Sequence, residues 1–272
     1  LICASLFLCL FLIQTVWAEN IIISTGSKKG NYFKFGLRIA RLLKAKGYPV
    51  TVVNSKGSVE NLERLIRKEA HIAIVQKDAL AWFRRKKPET EGKIDTIAEL
   101  RDECVFVVAR KDGKVEDDGD LQETGVKIAT GKIGSGSNVT WNYMCQLEKG
   151  FKKATSIPKG GTRAINKVLN KEYDAYLFVL TPDPENKLIK LIANNDELTF
   201  IPVTDWDLND KLDGKPIYKF EKVVYQKGFF DKKVKTICTS AIVVASTDLD
   251  DDLLDDLSDI LLEYKSYILN GE

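Results

Sequence analysis

Residues 21–43 read IIISTGSKKGNYFKFGLRIARLL, and the fold is decided there. Three isoleucines make an apolar strand, a Ser/Thr/Gly turn follows, and the turn opens a helix. Tyr32, Gly36, Ile39, Ala40 and Leu43 recur at the three-to-four spacing of one buried helical face. Gly47 is placed to end that helix, with Pro49 just beyond and Lys44–Lys46 in the last turn. A helix start offers free backbone N–H groups and a partial positive charge, so the turn is a ready anion site. Two later turns repeat the pattern. Ser58-Val-Glu-Asn61 opens a helix over 59–68, and Gly134-Ser135-Gly136-Ser137-Asn138 opens another over 139–151. Three such starts, each after a strand, predict one cleft for a small anionic or zwitterionic ligand.

Working outward, 50–53 and 70–75 are apolar strands that alternate with the first two helices. Strand–helix–strand–helix–strand with short links predicts a parallel sheet wrapped by helices, with ligands beyond the carboxyl ends of the strands. The segments 24–29, 54–58 and 76–78 all lie at that end. A basic run, Arg84–Lys87, reads as a solvated loop before Pro88. The strand 104–109 is followed by the polar, glycine-containing segment 111–120, expected to cross between two lobes. A second strand–loop–helix unit then runs from 126 to 151. The helix 162–170, the strands 174–180 and 198–203, a less regular region around Pro216, Tyr218 and Tyr225, and the strand 237–245 complete the body. The last helix begins near Thr247; its aspartates sit at the positive helix end, and Leu249, Leu253, Leu257, Ile260 and Leu261 face inward.

The 272 residues suffice for one large domain or two smaller ones. With 44% hydrophobic and 29% charged residues the composition is that of an ordinary globular chain. A net charge of +2 supplies no field for steering to nucleic acid. Leu1–Ala18 carries no charge and ends in Val16-Trp17-Ala18, which reads as a secretory signal peptide cleaved after Ala18; an N-terminal membrane anchor is the alternative. The expected location is therefore periplasmic or secreted.

Catalytic signatures are sparse. His71 is the one histidine, and no G-x-S-x-G, HExxH or paired cysteine pattern occurs, so neither metal nor cofactor is expected. Cys104 and Cys238 head apolar strands and are read as buried free thiols; a disulfide is open to them if the two strands are neighbours. The sequon Asn138-Val139-Thr140 is taken as coincidence.

In order, TGSKKGNYF, NSKGSVENLERLIRKEAHIAIVQKDAL, GKIGSGSNVTW and DAYLFV, with the tail KTICTSAIVVASTDLDDDLLDDLSDILL, resemble the TAXI family of solute-binding proteins of TRAP transporters. The resemblance spans nearly all of 20–267 and is most specific at Gly57–Asn61 followed by Ala73–Asp78. It implies an α/β fold of the type II periplasmic-binding-protein kind: two lobes, each a mainly parallel sheet flanked by helices. The lobes are expected at 19–109 plus about 205–272, and at about 110–204. The implied role is to capture an amino acid (glutamate-like) or small carboxylate between the lobes and deliver it to a membrane-embedded TRAP permease. Carried over residue by residue, the expected ligand contacts are Ser27, Asn31, Tyr32, Phe33, Ser58, Asn61, Gln76, Asp78, Gly134, Ser135, Gly136 and Ser137. Thr25, Gly26 and Gly30 complete the first-turn motif. Ser58 and Ser137 could equally be plain helix caps. The chain departs from the family at Lys28-Lys29-Gly30, where Thr-Gly-Gly is usual, and the added charge is expected to favour a more anionic solute. Two other roles are kept open: a receptor for sensing or chemotaxis, and an enzyme related to thiamin-pyrimidine formation, a class that leans on histidines.

Overall fold

A computed structural model describes residues 20–272, so the expected signal peptide lies outside the described residues. β1 (Ile21–Ser24) runs into α1 (Asn31–Ala45), then β2 (Val50–Val53), α2 (Ser58–Ile66) and β3 (Ile72–Gln76). β1 lies between β2 and β3 and is parallel to both, as the alternating pattern predicts. On α1 the buried set is Phe35, Gly36, Ile39, Ala40 and Leu43. Phe35 takes the inward place expected for Tyr32, whose hydroxyl turns instead toward a carboxylate.

α3 (Lys77–Lys86) follows β3 without a loop. Arg84, Arg85 and Lys86 form its last turn rather than a solvated loop. Cations are favoured at that negative helix end, and two of them are also paired. Arg84 meets Asp213 at 2.8 Å, and Arg85 meets Asp210 at 2.6 Å.

β4 (Ile94–Arg110) is one continuous strand of 17 residues. Next come β5 (Lys127–Ala129), α4 (Gly136–Leu147), β6 (Thr155–Ile157), α5 (Thr162–Leu169), β7 (Ala175–Leu180), α6 (Lys187–Ala193) and β8 (Leu198–Ile201). The region around Pro216 contains a small pair, β9 (Lys211–Leu212) and β10 (Lys215–Pro216). It continues into a long antiparallel hairpin of β11 (Lys219–Gln226) and β12 (Lys232–Ser246). α7 (Asp251–Glu263) is capped by Asp250, whose carboxylate accepts from the N–H groups of Asp252 and Leu253, and α8 (Lys265–Asn270) ends the described chain.

Ten strands form one curled sheet in the order β2-β1-β3-β12-β4-β7-β5-β6, with β11 also on β12 and β8 also on β4. Its two ends are parallel, and its middle is antiparallel where β12 and β4 run side by side. β4 pairs with β12 along its first part and with β7 and β8 along its last. The passage between the ends therefore lies inside β4 and β12, while 111–120 links β4 to β5.

Cys104 and Cys238 stand opposite each other in the β4–β12 register and are disulfide-bonded, which corrects the free-thiol expectation. Their separation of 134 residues hides this from the sequence, because only strand pairing brings them together. Apolar side chains fill three layers. One packs α1, α7 and α8 on β1 and β3, one packs α5 and α6 on β4 and β7, and one runs through α2, α3 and α4.

Candidate functional site

The carboxyl ends of β1, β3 and β7 and the middle of β4 open onto one cavity of about 300 Å³. Seven of the predicted residues line it: Ser27, Asn31, Tyr32, Ser58, Gln76, Gly136 and Ser137. They come from the starts of α1 and α2 and the end of β3 on one side, and from the start of α4 on the other. Glu103, Val179, Leu180 and Thr181 join them from β4 and the end of β7.

Each helix start leaves its first amides without intrahelical partners. α1 and α2 are preceded by Gly30 and Gly57, which have no side chain to cap those amides. Gly57 has φ 146°, a conformation that glycine takes freely and other residues rarely adopt. A Cβ there would lie 2.6 Å from the carbonyl oxygen of Gly134. The α2 and α4 turns thus touch across the cavity, backbone to backbone.

Neither candidate serine caps its own helix. Ser58 Oγ accepts from the Gln76 N–H at 3.1 Å, and Ser137 Oγ accepts from the Val179 N–H at 3.0 Å. Each hydroxyl accepts from backbone and so keeps its own proton to donate. On α4 the cap is Ser135, whose hydroxyl accepts from the Asn138 N–H at 3.4 Å. Thr181 adds a buried hydroxyl with no hydrogen-bond partner among the described residues.

The charge in the cavity is Glu103, which accepts from the Tyr32 hydroxyl at 2.8 Å. Burial pushes its carboxyl up to about 7 against that hydrogen bond, and the Asp78 charge adds to the rise. Burial, with the Glu103 charge behind it, drives the Tyr32 phenol well above its usual range. Glu103 was absent from the sequence-predicted set. Its only signal is a carboxylate directly before the apolar run CVFVVA.

Five predicted residues lie outside the lining. Asn61 is fully buried, accepting from Ser24 Oγ at 2.7 Å and donating to the carbonyls of Thr25 and Ile74 at 2.5 and 2.8 Å; it rivets α2 to β1 and β3. Asp78, also fully buried, accepts from Thr140 Oγ1 at 2.5 Å and the Tyr218 hydroxyl at 2.9 Å. Burial pushes its carboxyl up to about 6 in spite of those donors. It backs the cavity through Gln76, whose side-chain amide donates to Thr140 at 3.3 Å. Phe33 is half-buried on α1, Gly134 abuts Gly57, and Ser135 is the α4 cap. Lys28 and Lys29 are exposed and off the lining. Buried Asn138 makes the sequon a structural segment. Among the described residues no group of three or more His, Cys, Asp or Glu is placed to hold a metal, and no helix is long and apolar enough to cross a membrane.

The NMT1-like family pattern matches residues 23–270, almost the whole described chain. The protein belongs to the NMT1-like family. No curated protein matches this NMT1-like chain. Its fold is shared by solved structures at low identity. The XAC2383 protein of Xanthomonas citri bound to ATP aligns with a TM-score of 0.59 at 11% identity, covering 91% of this chain and 84% of that one. The ligand-binding core of GluR0 from Nostoc punctiforme, in complex with L-glutamate, gives 0.53 at 13% identity, covering 90% and 93%. The amino acid ABC transporter substrate-binding protein AbpA from Streptococcus pneumoniae, bound to L-arginine, gives 0.52 at 14%, covering 93% and 92%. These likenesses establish for the NMT1-like chain a two-lobe α/β binding-protein fold.

Proposed function

We propose that this protein is an extracytoplasmic receptor that closes its two lobes over a small α-amino acid and delivers it to a TRAP-type permease. One observation carries the ligand class. Uncapped helix starts and proton-donating serines share a small cavity with one carboxylate, Glu103. Backbone amides and the Ser58 and Ser137 hydroxyls suit a carboxylate, and Glu103 suits an ammonium. That pairing favours a zwitterion over the simple anion that Lys28 and Lys29 suggest. The ligands named for AbpA and GluR0, L-arginine and L-glutamate, are of the same class. The TRAP partner rests on the resemblance of the sequence to TAXI proteins.

We place the lobe division within β4 and β12, near Cys104 and Cys238, rather than at 109/110 and 204/205. Val223, Val234 and Cys238 pack with the α5–α6 core, so the β11–β12 hairpin goes with the second lobe. Lobe closure is then a hinge at two long strands, and the Gly57–Gly134 contact is a closed-form contact.

The family name raises the pyrimidine-forming enzyme as a second reading. His71 counts against it. It sits at the amino end of β3, where its Nδ1 accepts from the Ile22 N–H at 3.0 Å, and roughly 16 Å of strand separates it from Gln76 at the cavity.

The test is thermal unfolding of residues 19–272, stripped of carried ligand by unfolding and refolding, against α-amino acids and the matching acids that lack the amine. A ligand at a hundred times its Kd adds about 2.7 kcal/mol, on the order of several degrees for a chain of this size. Shifts with amino acids alone are expected. Shifts with the amine-free acids alone, or none across the panel, would sink the ligand class. Delivery is checked by uptake into permease-bearing vesicles with and without the receptor.

A further inference from the structure

The β11–β12 hairpin ends in Lys227-Gly228-Phe229-Phe230-Asp231. Phe229 is 97% exposed and Phe230 83% exposed, the two most exposed large apolar side chains among the described residues. Their rings meet edge to face at 4.8 Å and touch no other ring among the described residues. The turn is held in shape, since the Gly228 N–H donates to Asp231 Oδ1 at 3.2 Å. The core below is complete without them, because Val223 and Val234 supply the inward side chains of the hairpin.

The same hairpin carries six exposed lysines: Lys219 is paired with Asp102 at 3.1 Å, while Lys222, Lys227, Lys232, Lys233 and Lys235 make no ion pair with a described residue. Lys222 stands directly opposite Lys235 in the register. Like charges facing each other across a strand pair are unfavourable, and the hairpin's two carboxylates, Glu221 and Asp231, form no ion pair with either lysine to relieve it. An external anion would. The tip lies roughly 23 Å of strand beyond Cys238, clear of the ligand cavity.

We propose that this hairpin tip docks on anionic phospholipid. Phe229 and Phe230 enter the boundary between headgroups and acyl chains, and the lysines around them hold the headgroup phosphates. Aromatic residues flanked by Lys are suited to that boundary, where apolar burial and attraction to anionic lipid add. A protein partner fits less well. Two phenylalanines cover about 300–500 Å², short of the roughly 800 Å² that each partner gives to a standard protein interface, and they form a convex point rather than a face. A bilayer accepts such a point.

The experiment is co-sedimentation of residues 19–272, the span that holds every described element, with phosphatidylglycerol–phosphatidylcholine vesicles and with phosphatidylcholine vesicles. The shortened chain keeps the apolar segment 1–18 from binding lipid on its own account. Binding several-fold stronger to the anionic vesicles is expected, weakening as salt is raised. The double variant Phe229→Ser, Phe230→Ser should lose about tenfold or more of that binding while its melting temperature stays that of the parent. Phe230→Trp should show a blue shift in emission on the anionic vesicles only. Equal binding to both vesicle types, an unaltered double variant, or bound Phe230→Trp protein with no blue shift would each overturn the proposal.

Discussion

Glu103 is the residue on which the proposed choice of ligand turns. Its carboxyl is moved by burial from an ordinary 4.5 up to about 7, and that of Asp78 from 3.8 to about 6. Both shifts are upward, so the folded protein holds protons that the unfolded chain has already released. The ligand-free protein therefore has the full contribution of these groups at low pH. It loses stability as pH rises from about 4 through about 7. A melting temperature that rose over that window would contradict the assignment. A bound ammonium has the opposite preference, because it needs Glu103 ionised. Affinity for the amino acid should fall about tenfold between pH 8 and pH 6 as the proton must first leave. Calorimetric titration in buffers of different ionisation enthalpy reads that proton directly. Glu103→Gln should weaken binding by tenfold or more and flatten the pH dependence.

At the scale of elements, the site is a meeting of turns whose small residues let backbone approach backbone. At Gly136 a Cβ would fall 1.5 Å from Gln76 Oε1, and Gln76 is anchored on Thr140. Gly136→Ala must push that amide aside, with an expected loss of about tenfold in affinity and little change in stability. Gly57→Ala is a different case. It combines a φ of 146° with a backbone carbonyl at 2.6 Å, and neither can give while the α2 and α4 turns touch. A destabilisation of about 1–3 kcal/mol is expected, measured by chemical unfolding. A neutral Gly57→Ala variant would mean that the two turns stand apart in solution. These helix starts were legible in the sequence because a strand, a small-residue turn and an apolar helical stripe are all local. α6 and α8, of 7 and 6 residues, were not, because so few turns carry little periodic signal.

For the whole molecule, the decisive elements are the two long strands β4 and β12. The disulfide between Cys104 and Cys238 joins them where the two ends of the sheet meet. Replacing both with serine should cost about 2–5 kcal/mol, seen as a lower melting temperature that reductant reproduces in the parent protein. Identical melting of parent and variant would show that the bond contributes nothing. Because the bond ties β4 to β12 rather than one lobe to the other across the cavity, ligand binding should survive its loss.

By itself the sequence determined the αβ units at each end of the sheet, the helix starts that face the cavity, and seven of the residues that line it. Those features follow from spacing within one strand–turn–helix unit, where residues a few positions apart set each other's environment. Only the tertiary structure decided which strands run through both ends, that Cys104 meets Cys238, and that Glu103 faces the same cavity as Ser58 and Ser137. It also decided that Asn61 and Asp78 spend their hydrogen bonds inside the protein. A side chain's partners lie 13 to 140 residues away in the sequence in these cases, and no local period encodes such a pairing.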